Sequence, residues 1–239
     1  PSPSGQAVAL YRILCGMDPD LYYLINSNMN SALIRHDDES FQLAAKYYYL
    51  PPEPNVNHPN RFGLSIIRTT INMFSQLFFR TNNIVKIIHN EPDTRVVIAC
   101  TGNIIDIPAG FIASKITKLP FFVYLFDDYV YQWCGVQRIF AKQIASIIFK
   151  HSTAVIGPNE YICEEYQNRY RISTTLVRNP FGTDEKSEKL DSQWPFEKEK
   201  IKIIYTGAIY HANYDCFCNL IQAMHDLLTF NLELHIFTS

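Results

Sequence analysis

The chain has 239 residues, of which 47% are hydrophobic, 14% aromatic and 18% charged, with a formal net charge of -2. This composition excludes a disordered chain, and the charge supplies no basic field for a nucleic-acid partner. The longest apolar run, LPFFVYLF, is far shorter than the roughly 20 residues that a membrane-spanning helix needs. Six scattered cysteines in such a chain argue for reduced thiols, and we therefore expect a cytoplasmic protein with a large core.

Helical and strand-like segments alternate along the chain. The opening, PSPSGQAVALYRIL, predicts a Pro/Ser/Gly turn followed by an amphipathic helix. Two strands follow, at LYYLIN and in the segment that ends in YYYL. Residues 62–89 have apolar side chains at helical spacing, which predicts one helix or two in succession. Four further strands are predicted at TRVVIAC, FFVYLF, TAVIG and STTLVRN, with a helix between each consecutive pair.

Strands that alternate with helices in this way are typical of a parallel sheet in an α/β fold.

Residues 181–200 are dense in charge and turn residues, and a strand, a helix and a strand follow, from IKIIYTG to LELHIF. We expect a Rossmann-like doubly wound domain over residues 1–180, a linker over 181–200, and the start of a second Rossmann-like domain over 201–239. A glycine turn at a helix N-terminus normally follows a first strand, so we also expect that both ends are cuts in a larger protein.

The order of these segments resembles glycosyltransferase family 4, whose members are retaining nucleotide-sugar transferases with the GT-B fold. Four stretches, which together cover nearly the whole chain, carry the resemblance: PSPSGQAVALYRIL, VVIACTGNIIDIPAGFIASKITKLPFFVYLFDDY, the segment from STAVIGPNEY to TTLVRNPFGTD, and IKIIYTGAIYHANYDCFCNLIQAM. The resemblance implies transfer of a sugar from a UDP- or GDP-sugar to a hydroxyl of a carbohydrate or lipid-linked acceptor, in polysaccharide or glycolipid assembly. It also implies that the site uses no metal and no cofactor other than the donor.

The resemblance assigns the donor to Gly5 and Gln6 in the first domain and to Gly207 and His211 in the second. A metal-free site must hold the charge of the leaving diphosphate with backbone N–H groups and a helix dipole, and the N–H of Gly5 suits that role. The alternative is that Gly5 only permits a tight turn. The family commonly has an arginine and a lysine in the loop that contains His211. This chain has neither, so His211 and backbone groups would have to substitute.

The catalytic pair, Asp127 and Asp128, and the acceptor-binding residues are expected at the ends of two first-domain strands. Asp127 and Asp128 directly follow FFVYLF, and Thr101, Gly102 and Asn103 directly follow TRVVIAC. Because the carboxyl ends of parallel strands line one cleft, one aspartate of the pair can face an acceptor hydroxyl, and the three small residues can contact the acceptor. The family often has a histidine next to an aspartate here, whereas this chain has FDDY. The alternative is a solvated or helix-capping pair and an ordinary polar loop.

The helical segment over residues 62–89 interleaves aromatic and aliphatic side chains with Arg61, Arg68, Arg80 and Lys86. A basic, aromatic helix suits peripheral contact with the inner face of a membrane, where lipid-linked sugars are extended. The alternative is a helix that packs on the sheet with its basic residues outward.

Two other functions remain open at this stage. A sugar-nucleotide epimerase uses the same architecture, but it needs no open acceptor cleft. A non-catalytic pseudo-transferase that only binds its ligand would explain the missing arginine and lysine. The two glutamates of the family would lie beyond Ser239, so we expect the isolated chain to be inactive.

Overall fold

The computed structural model describes residues 5–26, 42–55, 65–180, 201–207, 209, 214–227 and 230–238. They form an α/β protein with parallel sheets, as the sequence predicts. The chain divides into two compact units, Pro1–Thr183 and Asp184–Ser239. The segment expected to be a linker, 181–200, lies outside the described residues.

Every helix and strand expected from the sequence is present, and the described part of residues 62–89 forms one long helix rather than two. A short 3-10 turn at Pro19–Leu21 was not expected. The first unit contains α1 (Gly5–Leu14), β1 (Tyr23–Asn26), β2 (Lys46–Tyr49), α2 (Ser65–Asn90), β3 (Val97–Cys100), α3 (Asp106–Thr117), β4 (Phe121–Tyr124), α4 (Gly135–Lys150), β5 (Ala154–Gly157), α5 (Glu160–Tyr170) and β6 (Thr174–Leu176). The second unit contains β7 (Ile201–Thr206), α6 (Tyr214–Asp226) and β8 (Leu232–Phe237).

The main sheet of the first unit has four parallel strands in the order β3-β4-β5-β6. Val97 of β3 lies opposite Phe121 of β4, and Phe122 lies opposite Ala154 of β5. Strands β1 and β2 form a separate two-stranded parallel sheet. Because all four strands of the main sheet run in one direction, the loops that follow them begin at the same edge, which we call the carboxyl edge.

Helix α3 packs closely on the sheet. A Cβ at Gly110 would lie 3.1 Å from the Cβ of Ala99 and 3.2 Å from a ring carbon of Phe121, so glycine is what permits this approach. The apolar side chains of α3, the central strands and the inner faces of α4 and α5 form the core. Its fully buried members include Ile105, Ile107, Ala109, Ala113, Phe121, Val123, Leu125, Tyr129, Ala141, Ala145 and Tyr166.

Helix α2 has two apolar faces, and only one of them is buried. Met73, Ile84 and Ile88 face the core together with the guanidinium of Arg80. The spacing that identifies the helix in the sequence belongs largely to the other face, which is exposed. No helix among the described residues is long and apolar enough to cross a membrane.

The second unit contains a two-stranded parallel sheet, in which Ile201 of β7 lies opposite Leu232 of β8. Helix α6 packs on this sheet through an edge-to-face contact between Tyr205 and Phe217, whose ring centroids are 4.8 Å apart.

Candidate functional site

Three segments that are distant in sequence meet at the carboxyl edge of the main sheet. The side-chain amide of Gln6, at the start of α1, donates a 3.1 Å hydrogen bond to Asp127 in the loop after β4. A Cβ at Gly102, in the turn after β3, would lie 3.5 Å from the amide oxygen of the same Gln6. The fold thus brings together Gln6, Gly102 and Asp127, and Gly5 is the first residue of α1 beside them.

The turn after β3 is held by its own polar groups. The side-chain oxygen of Asn103 accepts a 3.0 Å hydrogen bond from the N–H of Ile105, and the N–H of Asn103 donates to the carboxylate of Asp106 at 3.0 Å. These bonds fix the backbone at the start of α3, where Asn103 and Gly102 are exposed. Both residues are therefore accessible to solvent at this edge of the sheet.

Thr101 is buried, in contrast to Gly102 and Asn103. Its hydroxyl oxygen accepts hydrogen bonds from the N–H groups of Phe126 at 2.7 Å and Asp127 at 3.4 Å. A hydroxyl has two lone pairs, so this single side chain can satisfy both donors. In this structure Thr101 joins the two loops and fixes the backbone of Asp127.

The two neighbouring aspartates have different surroundings. One carboxylate oxygen of Asp128 accepts hydrogen bonds from the N–H groups of Val130 and Tyr131, at 2.8 and 2.7 Å. Its other oxygen pairs with the guanidinium of Arg169 at 2.7 Å. Asp127 is exposed, and its carboxylate receives the hydrogen bond from Gln6. Asp128 therefore shapes the loop, while Asp127 faces outward.

Aromatic side chains complete the support of this loop. The guanidinium of Arg169 lies 4.8 Å from the ring centre of Tyr131 and 5.4 Å from that of Tyr166, within the range of cation–π attraction. The hydroxyl of Tyr129 donates to the carbonyl of Ile104, and the N–H of Tyr129 donates to the hydroxyl of Tyr166, both at 2.8 Å. Burial raises the pKa of Tyr129 and of Tyr166 above the usual value, so both remain neutral.

Arg80 of α2 is a supporting residue that the sequence did not reveal. Only 2% of its surface is exposed, and it forms ion pairs with Glu53 and with Asp106, the residue that holds the turn after β3. The expectation that the basic residues of this helix point outward is therefore wrong for Arg80. Arg80 follows Met73 by seven residues and so shares its face of the helix, but only the structure shows that this face is the buried one.

Cys100 is the last residue of β3, and Thr101 and Gly102 of the cluster follow it directly in the sequence. Burial, with a smaller contribution from the negative charge of Asp106, raises the pKa of the Cys100 thiol to about 12. The thiol is therefore protonated at neutral pH, and it is poorly suited to act as a nucleophile.

The second-unit residues expected to bind the donor are only partly described. Gly207 directly follows β7 with φ 145°, a backbone conformation that favours glycine, and its N–H donates to the carbonyl of Phe237 at 3.0 Å. His211 lies outside the described residues. Within the described ranges, no group of three or more His, Cys, Asp or Glu side chains is arranged to hold a metal ion.

No protein-family model matches this chain, and no curated protein matches it. The fold is that of an α/β protein with parallel sheets. Its first unit carries a cluster of polar side chains at the carboxyl edge of the main sheet.

Proposed function

We propose that the protein is a retaining glycosyltransferase that moves a sugar from a UDP- or GDP-sugar to a hydroxyl acceptor. In this proposal the first unit is the Rossmann-like, acceptor-side domain of a GT-B enzyme. The observation that supports the proposal best is the convergence of Gln6, Gly102 and Asp127 at the carboxyl edge of a parallel sheet. Open α/β sheets bind their ligands at this edge.

Asp127 is the acceptor-binding residue of this proposal. Its carboxylate is exposed, its backbone is fixed by Thr101, and one of its oxygens is oriented by Gln6. A carboxylate has four lone-pair positions, so Asp127 can accept a further hydrogen bond from an acceptor hydroxyl. Gly102 adjoins Gln6, and Asn103 is the next, exposed residue of the same turn, while Thr101 and Asp128 hold the loops.

The donor diphosphate would lie at the start of α1. The N–H of Gly5 and the positive end of the α1 dipole favour an anion there, and among the residues that the structure describes no atom outside the local chain lies within 4 Å of a Cβ built at Gly5. In this proposal Gly207 and His211 are the donor-contacting residues of the second domain. Attack of the acceptor hydroxyl on the face that the diphosphate leaves would retain the anomeric configuration, and the leaving diphosphate would take the acceptor proton.

The test is transfer by the full-length protein with UDP- and GDP-sugars, together with a nucleotide-binding titration. Asp127→Asn removes a charge-assisted hydrogen bond of about 1.5–3 kcal/mol. Transfer should therefore fall roughly ten- to a hundredfold, with nucleotide binding unchanged. The control is Asp93→Asn, an exposed aspartate in the loop before β3, at the opposite end of that strand.

Three results would contradict the proposal. Unchanged transfer in Asp127→Asn would show that the acceptor binds elsewhere. Nucleotide binding without transfer or hydrolysis would indicate a pseudo-transferase. An epimerised sugar nucleotide as the product would indicate an epimerase.

A further inference from the structure

Helix α2 extends well beyond the carboxyl edge of the main sheet. Arg80 marks the level of that edge, because its guanidinium pairs with Asp106, the first residue of α3. The residues after Arg80 run back toward the start of β3, whereas those from Ser65 to Phe79 form about 22 Å of helix before it. The first half of α2 therefore stands above the edge at which the candidate site lies.

One face of this projecting half carries uncharged polar side chains. They follow one another at intervals of four, three and four residues, and Arg80 continues the series after four more. They are Ser65, Thr69, Asn72 and Gln76, which we call the polar face. Because it continues the face of Arg80, the polar face lies on the side of α2 that contacts Glu53 and Asp106 at the carboxyl edge.

The polar face lines a groove between α2 and the start of α4. The groove consists of two adjoining cavities of about 320 and 280 Å³, and Thr69 and Gln137 line both of them. Clefts that bind small ligands have volumes of about 300–1,000 Å³. Cys134 also lines the groove, at the end of the loop that follows β4 and contains Asp127. The groove and the candidate site therefore share this loop.

Several polar groups in the groove are available to a ligand. The side chains of Thr69, Gln76 and Gln137 are half-buried, and none of them forms a hydrogen bond within the described part of the chain. The amide of Asn72 is positioned by a 2.6 Å hydrogen bond that it donates to the side-chain oxygen of Asn55. Partly buried donors and acceptors are costly to leave unpaired, so water or a ligand must satisfy them.

The chemistry of the groove suits sugar hydroxyl groups. A hydroxyl both donates and accepts, and a glutamine amide offers one group of each kind, so the two can exchange a pair of hydrogen bonds. Arg68 is the only charged side chain among the described residues that line the groove, whereas a phosphate ligand calls for several cations. Met73 and Val136 add apolar surface, on which the CH groups of a sugar ring can pack.

We propose that this groove binds an oligosaccharide, and that it holds the sugars of the acceptor that lie behind the reacting hydroxyl at Asp127. The inference deepens the proposed function and rests on it for the role of the ligand as acceptor. The polar face spans about 17 Å between Ser65 and Gln76, so it matches a chain of sugars and not a single ring. The acceptor is therefore an oligosaccharide, and a lipid phosphate that carries one sugar would leave the groove unused.

The experiment is isothermal titration calorimetry of the full chain, without donor, with neutral malto-, cello-, xylo-, manno- and chito-oligosaccharides from single sugars to hexamers. We expect at least one series to bind, with an affinity that rises from the single sugar to the trimer or beyond. Gln76→Met and Gln137→Met keep the length of the side chain but remove its hydrogen-bonding groups. Each should weaken binding roughly two- to tenfold, and the double variant roughly 5- to 100-fold.

The matched control is Gln143→Met. Gln143 is exposed on α4 and does not line the groove, so this variant should bind as the unsubstituted chain does. Because the side chains of Gln76 and Gln137 have no partner within the described residues, the Tm of all three variants should stay within about 2 °C of the unsubstituted chain. A loss of binding then reports on the groove and not on unfolding.

Absence of binding to every oligosaccharide by the folded chain would overturn the inference, as would binding that Gln76→Met and Gln137→Met leave unchanged or that Gln143→Met weakens equally. Transfer to a single sugar or a lipid-linked phosphate that is as efficient as transfer to an oligosaccharide would also overturn it, while the proposed function would stand. Oligosaccharide binding through the groove by a full-length protein that transfers no sugar would support the binding site and contradict the transferase.

Discussion

The neighbouring aspartates after β4 should respond differently to the same substitution. Asp128→Asn keeps an oxygen that can accept from the N–H groups of Val130 and Tyr131, but it loses the ion pair with Arg169. A hydrogen bond to a charged group contributes about 1.5–3 kcal/mol. The side chains of Arg169 and Asp128 are 22% and 17% exposed, so solvent screens the pair in part. We therefore expect a loss of about 1.5–2 kcal/mol in the free energy of unfolding.

For a unit of this size, such a loss lowers the Tm by about 5 °C. Asp127→Asn should change the Tm by no more than about 2 °C, because Asp127 is exposed and its new amide oxygen can still accept from Gln6. The measurement is thermal unfolding followed by the fluorescence of Trp133, whose backbone N–H donates to the carbonyl of Val130 at 3.4 Å, in a chain that carries Trp194→Phe.

A double-mutant cycle isolates the ion pair. Arg169→Met alone should also lower the Tm, because it leaves the Asp128 carboxylate without its cation. The double variant Asp128→Asn/Arg169→Met should be less destabilised than the sum of the two single effects by about 1 kcal/mol or more. Additive effects, or equal losses from Asp127→Asn and Asp128→Asn, would refute the division of roles between the two carboxylates.

Two further predictions concern buried groups of the same region. Thr101→Val keeps the side-chain shape but leaves the N–H of Phe126 without its acceptor. It should lower the free energy of unfolding, measured with urea, by about 1–3 kcal/mol. Thr101→Ser keeps the hydroxyl and should lower it by less than half as much. Alkaline pH should also destabilise the fold, because Cys100, Tyr129 and Tyr166 have raised native pKa values while the unfolded chain releases their protons from ordinary values of 9.0 and 10.0. Their contribution to the free energy of unfolding is complete below pH 9 and is lost as the pH rises from there toward 12. The loss is up to about 1.4 kcal/mol per pH unit for each group that is ionised in the unfolded chain. Urea midpoints that stay constant from pH 8 to 11 would contradict this prediction.

The succession of helices and parallel strands could be predicted because it depends on local patterns. TRVVIAC and FFVYLF are short, continuous apolar runs between helical segments, and such runs pair in parallel sheets. The meeting of Gly102 with Asp127 follows from the same topology, since both residues come directly after neighbouring strands. The contact with Gln6 lies at this edge as well.

Side-chain roles within the cluster could not be predicted, because they depend on partners far away in sequence. Nothing in FDDY distinguishes Asp127 from Asp128. The difference arises from the N–H groups of Val130 and Tyr131 and from Arg169, which lies 41 residues after Asp128. The spacing of apolar residues in α2 likewise predicts less than the structure shows. It identified a helix, but Ile67 and Phe78 form an apolar stripe as regular as the buried one, and spacing alone does not say which stripe faces the core.

The unequal support of the two aspartates has a consequence for how this protein can evolve. A change at position 127 alters the chemistry presented at the carboxyl edge, while Asp128 continues to hold the loop through the N–H groups of Val130 and Tyr131. An aspartate codon becomes a histidine codon by a single base change. A histidine followed by an aspartate is therefore one base change away at position 127, where the side chain is exposed and does not hold the loop.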